Sequence, residues 1–201
     1  MRQKNYRSDR KSIIKIVIFG ILTILSVVMF ISGMISNGNN AVKRFNALNA
    51  VDQAGGDVET ALNELRSYIY SHMNTEIGGP NGIYPPIQLK GTYENLVAIE
   101  EARVKDANDL LYPEAQAFCE ANGNQGFSGR NRTECIAEYI EKNGTKIKEI
   151  EEDYYKYDFV APRWSPDLAG YSLIASILFG SATLISLLMY FRTRHAVHIA
   201  N

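Results

Sequence analysis

Two cysteines, one tryptophan and three histidines are all that this chain of 201 residues offers of those types, and the shortage limits its chemistry. Of the histidines, His72 stands alone, while His195 and His198 lie three apart near the C-terminus with no Cys, Asp or Glu beside them, too few ligands for an ordinary metal site. No phosphate-binding loop ending in Lys-Ser/Thr is present, nor a GxSxG elbow or an HExxH zinc helix. No catalytic residue, cofactor or metal is therefore expected. The acidic clusters Glu100-Glu101 and Glu151-Glu152-Asp153 could do acid/base work only if burial shifted them, and are expected on solvated faces. Glu100 is set apart because an apolar seam from Val97 to Val104 passes through it.

Charge is missing from two stretches. Residues 16–35, IVIFGILTILSVVMFISGMI, and residues 171–191, YSLIASILFGSATLISLLMYF, contain no ionisable acid or base other than the tyrosines. At about 1.5 Å of rise per residue each spans the roughly 30 Å hydrocarbon layer, where only a helix satisfies its own backbone. Both read as transmembrane helices. The first leads with basic residues and is followed by Ser36-Asn37-Gly38, as a cleaved signal peptide would be. Signal cores run about 7–15 residues, so an uncleaved anchor is expected instead.

Residues 1–15 carry Arg2, Lys4, Arg7, Arg10, Lys11 and Lys15 against Asp9, and residues 192–201 carry Arg192 and Arg194 with no acid. Between the spans, residues 36–170 hold thirteen basic and twenty-one acidic residues. The positive-inside rule puts both tails in the cytoplasm and the middle domain outside. That acidic balance also argues against nucleic acid. Trp164 and Tyr171 before the second span, and Tyr190 at its end, are placed as interfacial anchors. Ser172, Ser176 and Gly180, four apart, make a small-residue stripe on which Gly20, Gly33 or another subunit could pack.

The middle domain shows helical spacing and no comparable strand alternation. Phe45, Leu48, Val51, Val58, Leu62, Leu65, Ile69 and Met73 form one series, weakened at Gly55-Gly56, where Asp57 can cap a restart, so that either a kinked helix or two helices in line are expected, ended by Gly78-Gly79-Pro80. Tyr93, Leu96, Val97, Val104, Ala107 and Leu111 form a second, with Pro113 expected to open a separate short helix. Asn131 and Glu134 read as a helix start for a third, Ile136, Ile140, Ile147, Ile150, Tyr154 and Tyr157, which Pro162 and Pro166 end. The expected fold is all-α: two transmembrane helices flanking an extracytoplasmic antiparallel helical bundle.

Both cysteines bound one stretch, CEANGNQGFSGRNRTEC. Residues 121–133 contain no Asp or Glu, which excludes a calcium loop, and zinc would need two further ligands. An oxidising compartment leaves a Cys119–Cys135 disulfide joining two helices, with Phe127 at the loop tip as a candidate partner contact. Tyr154, Tyr155 and Tyr157 are further contact candidates, since tyrosine packs its ring while its hydroxyl stays wet. His72, Glu100 and Asn143 are candidate ligand or register positions, Asn143 because it interrupts an apolar seam. Asn131-Arg-Thr and Asn143-Gly-Thr are glycosylation triplets where the cell has the machinery.

In outline the chain resembles the periplasmic sensor modules of bacterial chemoreceptors and sensor kinases, helical bundles between two spans. Only ten residues follow Phe191, so a signal would pass through another protein. Val51-Asp-Gln-Ala-Gly-Gly-Asp-Val-Glu-Thr-Ala-Leu62 is locally similar to LemA-type anchored helical proteins, without the basic, Pro-containing motif expected after it. Neither resemblance carries a functional residue onto this chain. The functional expectation is a non-enzymatic, membrane-anchored interaction or scaffold protein whose outer bundle binds an envelope partner or its own copies. The alternative is a sensor or accessory subunit that binds a small ligand and acts through a partner. An embedded enzyme ranks below both, for want of polar residues in the spans.

Overall fold

The computed structural model describes residues 2–78, 83–123 and 130–199. They are mostly helical, with five helices: α1 (Arg2–Ala54), α2 (Val58–Ser71), α3 (Lys90–Ala121), α4 (Arg130–Asn143) and α5 (Leu168–Ile199). Two-residue strands β1 (Ile87–Gln88) and β2 (Lys156–Tyr157) pair with each other, and a single 3₁₀ turn covers Glu152–Tyr155. The chain divides into two compact units, so that residues 36–170 contribute to both.

The first unit holds residues 1–50, 59–87 and 158–201. Within it, α1 from Arg10 and α5 through His195 are long and apolar enough to cross a membrane. They meet where Gly33 admits the backbone of Ala169: a Cβ on Gly33 would lie 2.8 Å from the Ala169 nitrogen. Farther along, the Thr23 and Thr183 hydroxyls are 3.3 Å apart. α2 is amphipathic and buries Leu65 and Ile69 completely, in a unit whose core also includes Ala41, Leu48, Met73 and Phe159. Each fully buried Leu or Ile stabilises by about 1.5–3 kcal/mol.

α2 ends at Ser71, earlier than the expected stop at Gly78. The Ser71 hydroxyl donates to the Ser67 and Tyr68 carbonyls, and that of Thr75 to Ile69 and His72. The bonds to Tyr68, Ile69 and His72 occupy carbonyls that a further helical turn would have used. Asn74, at φ 58°, then reverses the chain, and Met73 is buried beyond the helix rather than within it.

The second unit holds residues 51–58 and 88–157. Helix α1 terminates there on Gly55, whose φ of +66° allows its N–H to reach the Asp52 carbonyl while Gly56 N–H reaches that of Val51. This is the glycine-closed helix end that the Gly55-Gly56 pair foreshadowed. Helix α3 is continuous through Pro113, where a separate helix was expected. Proline removes one backbone bond, and the turns beyond it are held by a small core of Ala115, Cys119 and Ile136, with Cys135, Tyr139 and Ile140 packed around it.

The largest departure follows Asn143. The spacing predicts one helix to Tyr157, but α4 stops there and the chain runs on as a non-helical strap to the 3₁₀ turn that precedes β2. Gly144 N–H bonds the Ile140 carbonyl at 2.6 Å, and a Cβ at Gly144 would strike that carbonyl oxygen and lie 2.9 Å from Asn108 Oδ1. Only glycine turns the corner so close to α3.

Candidate functional site

Three arrangements carry the polar side chains that organise the two units. The first binds the strap to α3. Asn108 grips Thr145 twice, its Nδ2 donating to the Thr145 carbonyl at 3.2 Å and its Oδ1 accepting the Thr145 N–H at 2.9 Å. Two turns earlier, Glu100 Oε1 accepts the Lys148 N–H at 2.8 Å, while both its oxygens receive Arg103 at 2.8 Å. The Arg103 guanidinium, and after it the Lys148 N–H, hold the Glu100 carboxyl down at about 2 from an ordinary 4.5. At the far end, Leu89 N–H bonds the Tyr155 carbonyl at 2.9 Å, and the Tyr93 and Tyr155 rings lie 5.9 Å apart. Glu100 is thus a clamp for backbone, with its acceptor sites occupied.

The second arrangement is the start of α3. Leu89 occupies the N-cap position without a capping side chain. Asp52 takes over: its carboxylate accepts the Gly91 N–H at 2.7 Å, the Thr92 N–H at 2.9 Å and the Thr92 hydroxyl at 2.5 Å. A carboxylate there also complements the positive end of the helix dipole. Asp52 is 4% exposed.

The third lies where α5 begins. Asp167 caps α5 by accepting the Gly170 N–H at 2.9 Å, and its other oxygen receives Asn37 Nδ2 at 2.6 Å. Asn37 also donates to the Met73 carbonyl, and Met73 N–H donates to the Ser165 hydroxyl at 3.0 Å. Burial pushes the Asp167 carboxyl up. The Gly170, Asn37 and Ser165 donors, with the nearby His72, outweigh that and hold it below the ordinary aspartate range.

The predicted positions distribute as follows. Cys119 and Cys135 form a disulfide. Phe127 lies outside the described residues. Tyr154 is exposed, Tyr155 is half-buried against Tyr93 and Tyr157 is half-buried in β2. His72 sits just past the end of α2, not at a core position within it, stacked 4.1 Å from the Tyr68 ring. Asn143 is an exposed last residue of α4 whose side chain donates to the Tyr139 carbonyl. Ser172 is buried, Ser176 donates to the Ser172 carbonyl, and a Cβ added at Gly180 would lie 3.8 Å from the Thr23 methyl, so the stripe approaches α1 of its own chain at Gly180. Of the two glycines offered as its partner, Gly33 packs on α5, whereas a Cβ added at Gly20 would meet open space. Trp164 stands edge-on to Tyr171 at 6.0 Å, and Tyr190 lies beneath Arg194 at 5.6 Å.

Sequence reasoning passed over Asp52, Asn37, Asn108, Ser165 and Asp167. An Asp before an apolar helical run is a start signal, so Asp167 carried a usable cue. The other four act on backbone distant in sequence and have no local signature.

Two open grooves are lined by polar and apolar atoms in nearly equal measure. One, of about 650 Å³, lies along α2 and Arg44, lined by Thr60, Asn63, Ser67, Tyr68 and Ser71. Arg44 stacks on Tyr68 at 4.0 Å there. The other, of about 490 Å³, borders Asp52, Gly56 and Thr92. Among the described residues no group of three His, Cys, Asp or Glu is placed to hold a metal, and no buried side-chain polar atom lacks a partner. No known family model matches the chain, and neither a curated protein nor a solved structure matches it.

Proposed function

We propose that this is a membrane-anchored interaction protein: α1 and α5 cross the bilayer, both tails are cytoplasmic, and an extracytoplasmic helical domain docks a protein partner or a second copy. Anchoring is supported by two uncharged runs in helices of sufficient length, and the orientation by the basic tails around an acidic middle. The observation that carries the docking role is a set of large apolar side chains left exposed on the second unit. Leu110 is 82% exposed and Tyr154 71%, and Ile99, Tyr112, Phe118 and Ile147 are exposed as well. Apolar side chains so placed outside the membrane helices fit a surface meant to be covered.

Satisfied buried polar groups and shallow grooves weigh against a ligand enclosed in the interior. The sensor alternative keeps one foothold, the groove beside Arg44 and Tyr68. Photo-crosslinking from position 110 in native membranes tests the docking role, with Leu110→Lys as control. A discrete adduct, weakened by the lysine in unmodified protein, is expected. Recovery of the protein alone, as an uncrosslinked monomer, would sink the proposal.

A further inference from the structure

Outside α1 and α5, the first unit exposes three large apolar side chains to an unusual degree: Ile83 at 76%, Tyr84 at 77% and Val160 at 73%. They come from two segments that the fold holds together. The Tyr84 hydroxyl donates to Asp158 Oδ2 at 3.0 Å, and Pro86 lies so near Gly78 that a Cβ there would be 3.0 Å from the proline ring. The chain from Val160 then leads through exposed Arg163 and Trp164 into α5, whose first turns expose Leu168, Tyr171 and Ile174.

Hydrogen bonds tie this region to the edge of the uncharged run of α1. Asn74 Nδ2 donates to the Met34 carbonyl at 2.9 Å, and Met34 is the next-to-last residue of that run. Asn37, three residues on, binds both the Met73 carbonyl and Asp167 at the start of α5. Met73, Asn74, Ser165 and Asp167 are therefore held beside the end of the uncharged run, and Ile83, Tyr84 and Val160 lie within about ten residues of them along the chain.

We propose that Ile83, Tyr84 and Val160, with Arg163 and Trp164, form a ledge that dips into the headgroup region of the bilayer. The proposal rests on the reading of α1 and α5 as membrane helices. Phospholipid is the occupant the observations favour, because the ledge leads directly along the chain into the exposed apolar first turns of α5 and pairs apolar and aromatic tips with one exposed cation, Arg163. Tyr and Trp rings suit the headgroup level, where one edge is dry and the other wet. The Arg163 guanidinium can pair with lipid phosphate, while the Asp158 carboxylate is engaged by Tyr84. The ledge would fix how the first unit sits against the bilayer, which two helices alone leave free to tilt.

Trp164 is the only tryptophan, so the full chain carries its own reporter. The protein is placed in phosphatidylcholine–phosphatidylglycerol nanodiscs whose acyl chains are brominated near the headgroup or near the chain end, and fluorescence quenching is compared with that by aqueous iodide. Trp164→Phe/Ile83→Trp and Trp164→Phe/Val160→Trp move the reporter onto the ledge, with circular dichroism confirming retained helix. We expect headgroup-proximal bromine to quench both variants, and iodide to quench them less than a free indole. If Trp164 in the unaltered chain is quenched by bromolipid while positions 83 and 160 are open to iodide and untouched by bromine, the ledge is wrong and the membrane reading stands. Shielding from iodide without bromine quenching means that protein covers the ledge, which overturns the lipid assignment. If Trp164 itself escapes bromine the ledge is wrong, and the membrane reading is decided separately by Trp164→Phe/Ile177→Trp, which places the reporter within the uncharged run of α5: chain-end bromine quenching there keeps the membrane reading, and its absence overturns that reading too.

Discussion

Replacing Asp52 removes the cap of a helix that begins far along the chain. Its carboxylate serves the second and third N–H groups of α3, Gly91 and Thr92, and the Thr92 hydroxyl, in a site that is 4% exposed. Loss of an N-cap side chain costs about 0.5–2 kcal/mol. Leaving buried donors without an acceptor adds about 1–3 kcal/mol for each group stranded away from water. Water entering from the adjoining groove recovers part of this, so Asp52→Ala is expected to destabilise the second unit by about 3 kcal/mol. Asp52→Asn keeps one acceptor oxygen but turns an NH₂ toward the remaining donors, and should cost about half as much. Thr92→Val deletes only the hydroxyl and should cost about 1 kcal/mol. Urea unfolding of the full chain in nanodiscs measures the loss, and amide exchange at residues 90–93 localises it. If Asp52→Ala stays within about 0.5 kcal/mol of the parent and leaves those amides equally protected, the capping argument is refuted.

Glu100 predicts a pH response. Its carboxyl is held at about 2 in the fold against an ordinary 4.5, so its contribution is complete above pH 4.5 and is lost as pH falls from there toward 2. Glu100→Gln should remove that part of the acid dependence, seen as a flatter stability profile across the same window; an unchanged profile would show that the strap does not depend on this carboxylate. Reducing the Cys119–Cys135 disulfide, or replacing both by Ser, should cost about 3 kcal/mol from loop closure over a separation of 16 residues, read as a lower urea midpoint for α4 amides. Gly144→Ala should displace the strap, since its Cβ would strike the Ile140 carbonyl, and fast exchange at Thr145 and Lys148 is the expected sign. Gly33→Leu should separate α1 from α5 at Ala169, slowing disulfide formation between cysteines introduced at Thr23 and Thr183.

What the sequence disclosed and what it concealed divide by the range of the interaction. The two uncharged runs, the weak point at Gly55-Gly56 and the cysteine pairing are local or compositional; the runs lie in long helices, the cysteines pair, and the weak point proves to be a helix end rather than a kink. The strap is the instructive miss. Ile147, Ile150, Tyr154 and Tyr157 keep helical spacing, yet the chain is not helical from Gly144 through Glu151. Asn143-Gly144 was a visible breaker, but what holds the following residues extended is Asn108 and Glu100, remote in sequence. Pro113 failed in the opposite sense, since the tip core, fastened by the disulfide, carries the helix past it. Asp52 shows why the candidate sites were harder to read than the helices: its partners lie 39 and 40 residues away, and nothing in its neighbourhood announces them.

The strap also sets a rule of proportion for the second unit. From Leu89 to Asn108, α3 advances about 28 Å at helical rise, and the return from Thr145 to Tyr155 must cover the same distance in roughly half as many residues, which requires extended backbone over residues 145–151 ahead of the 3₁₀ turn at Glu152–Tyr155. Lengthening α3 by two turns between those clamps would demand about three more residues of strap. Relatives of this chain should therefore vary the two segments together, at about two residues of helix for each residue of strap.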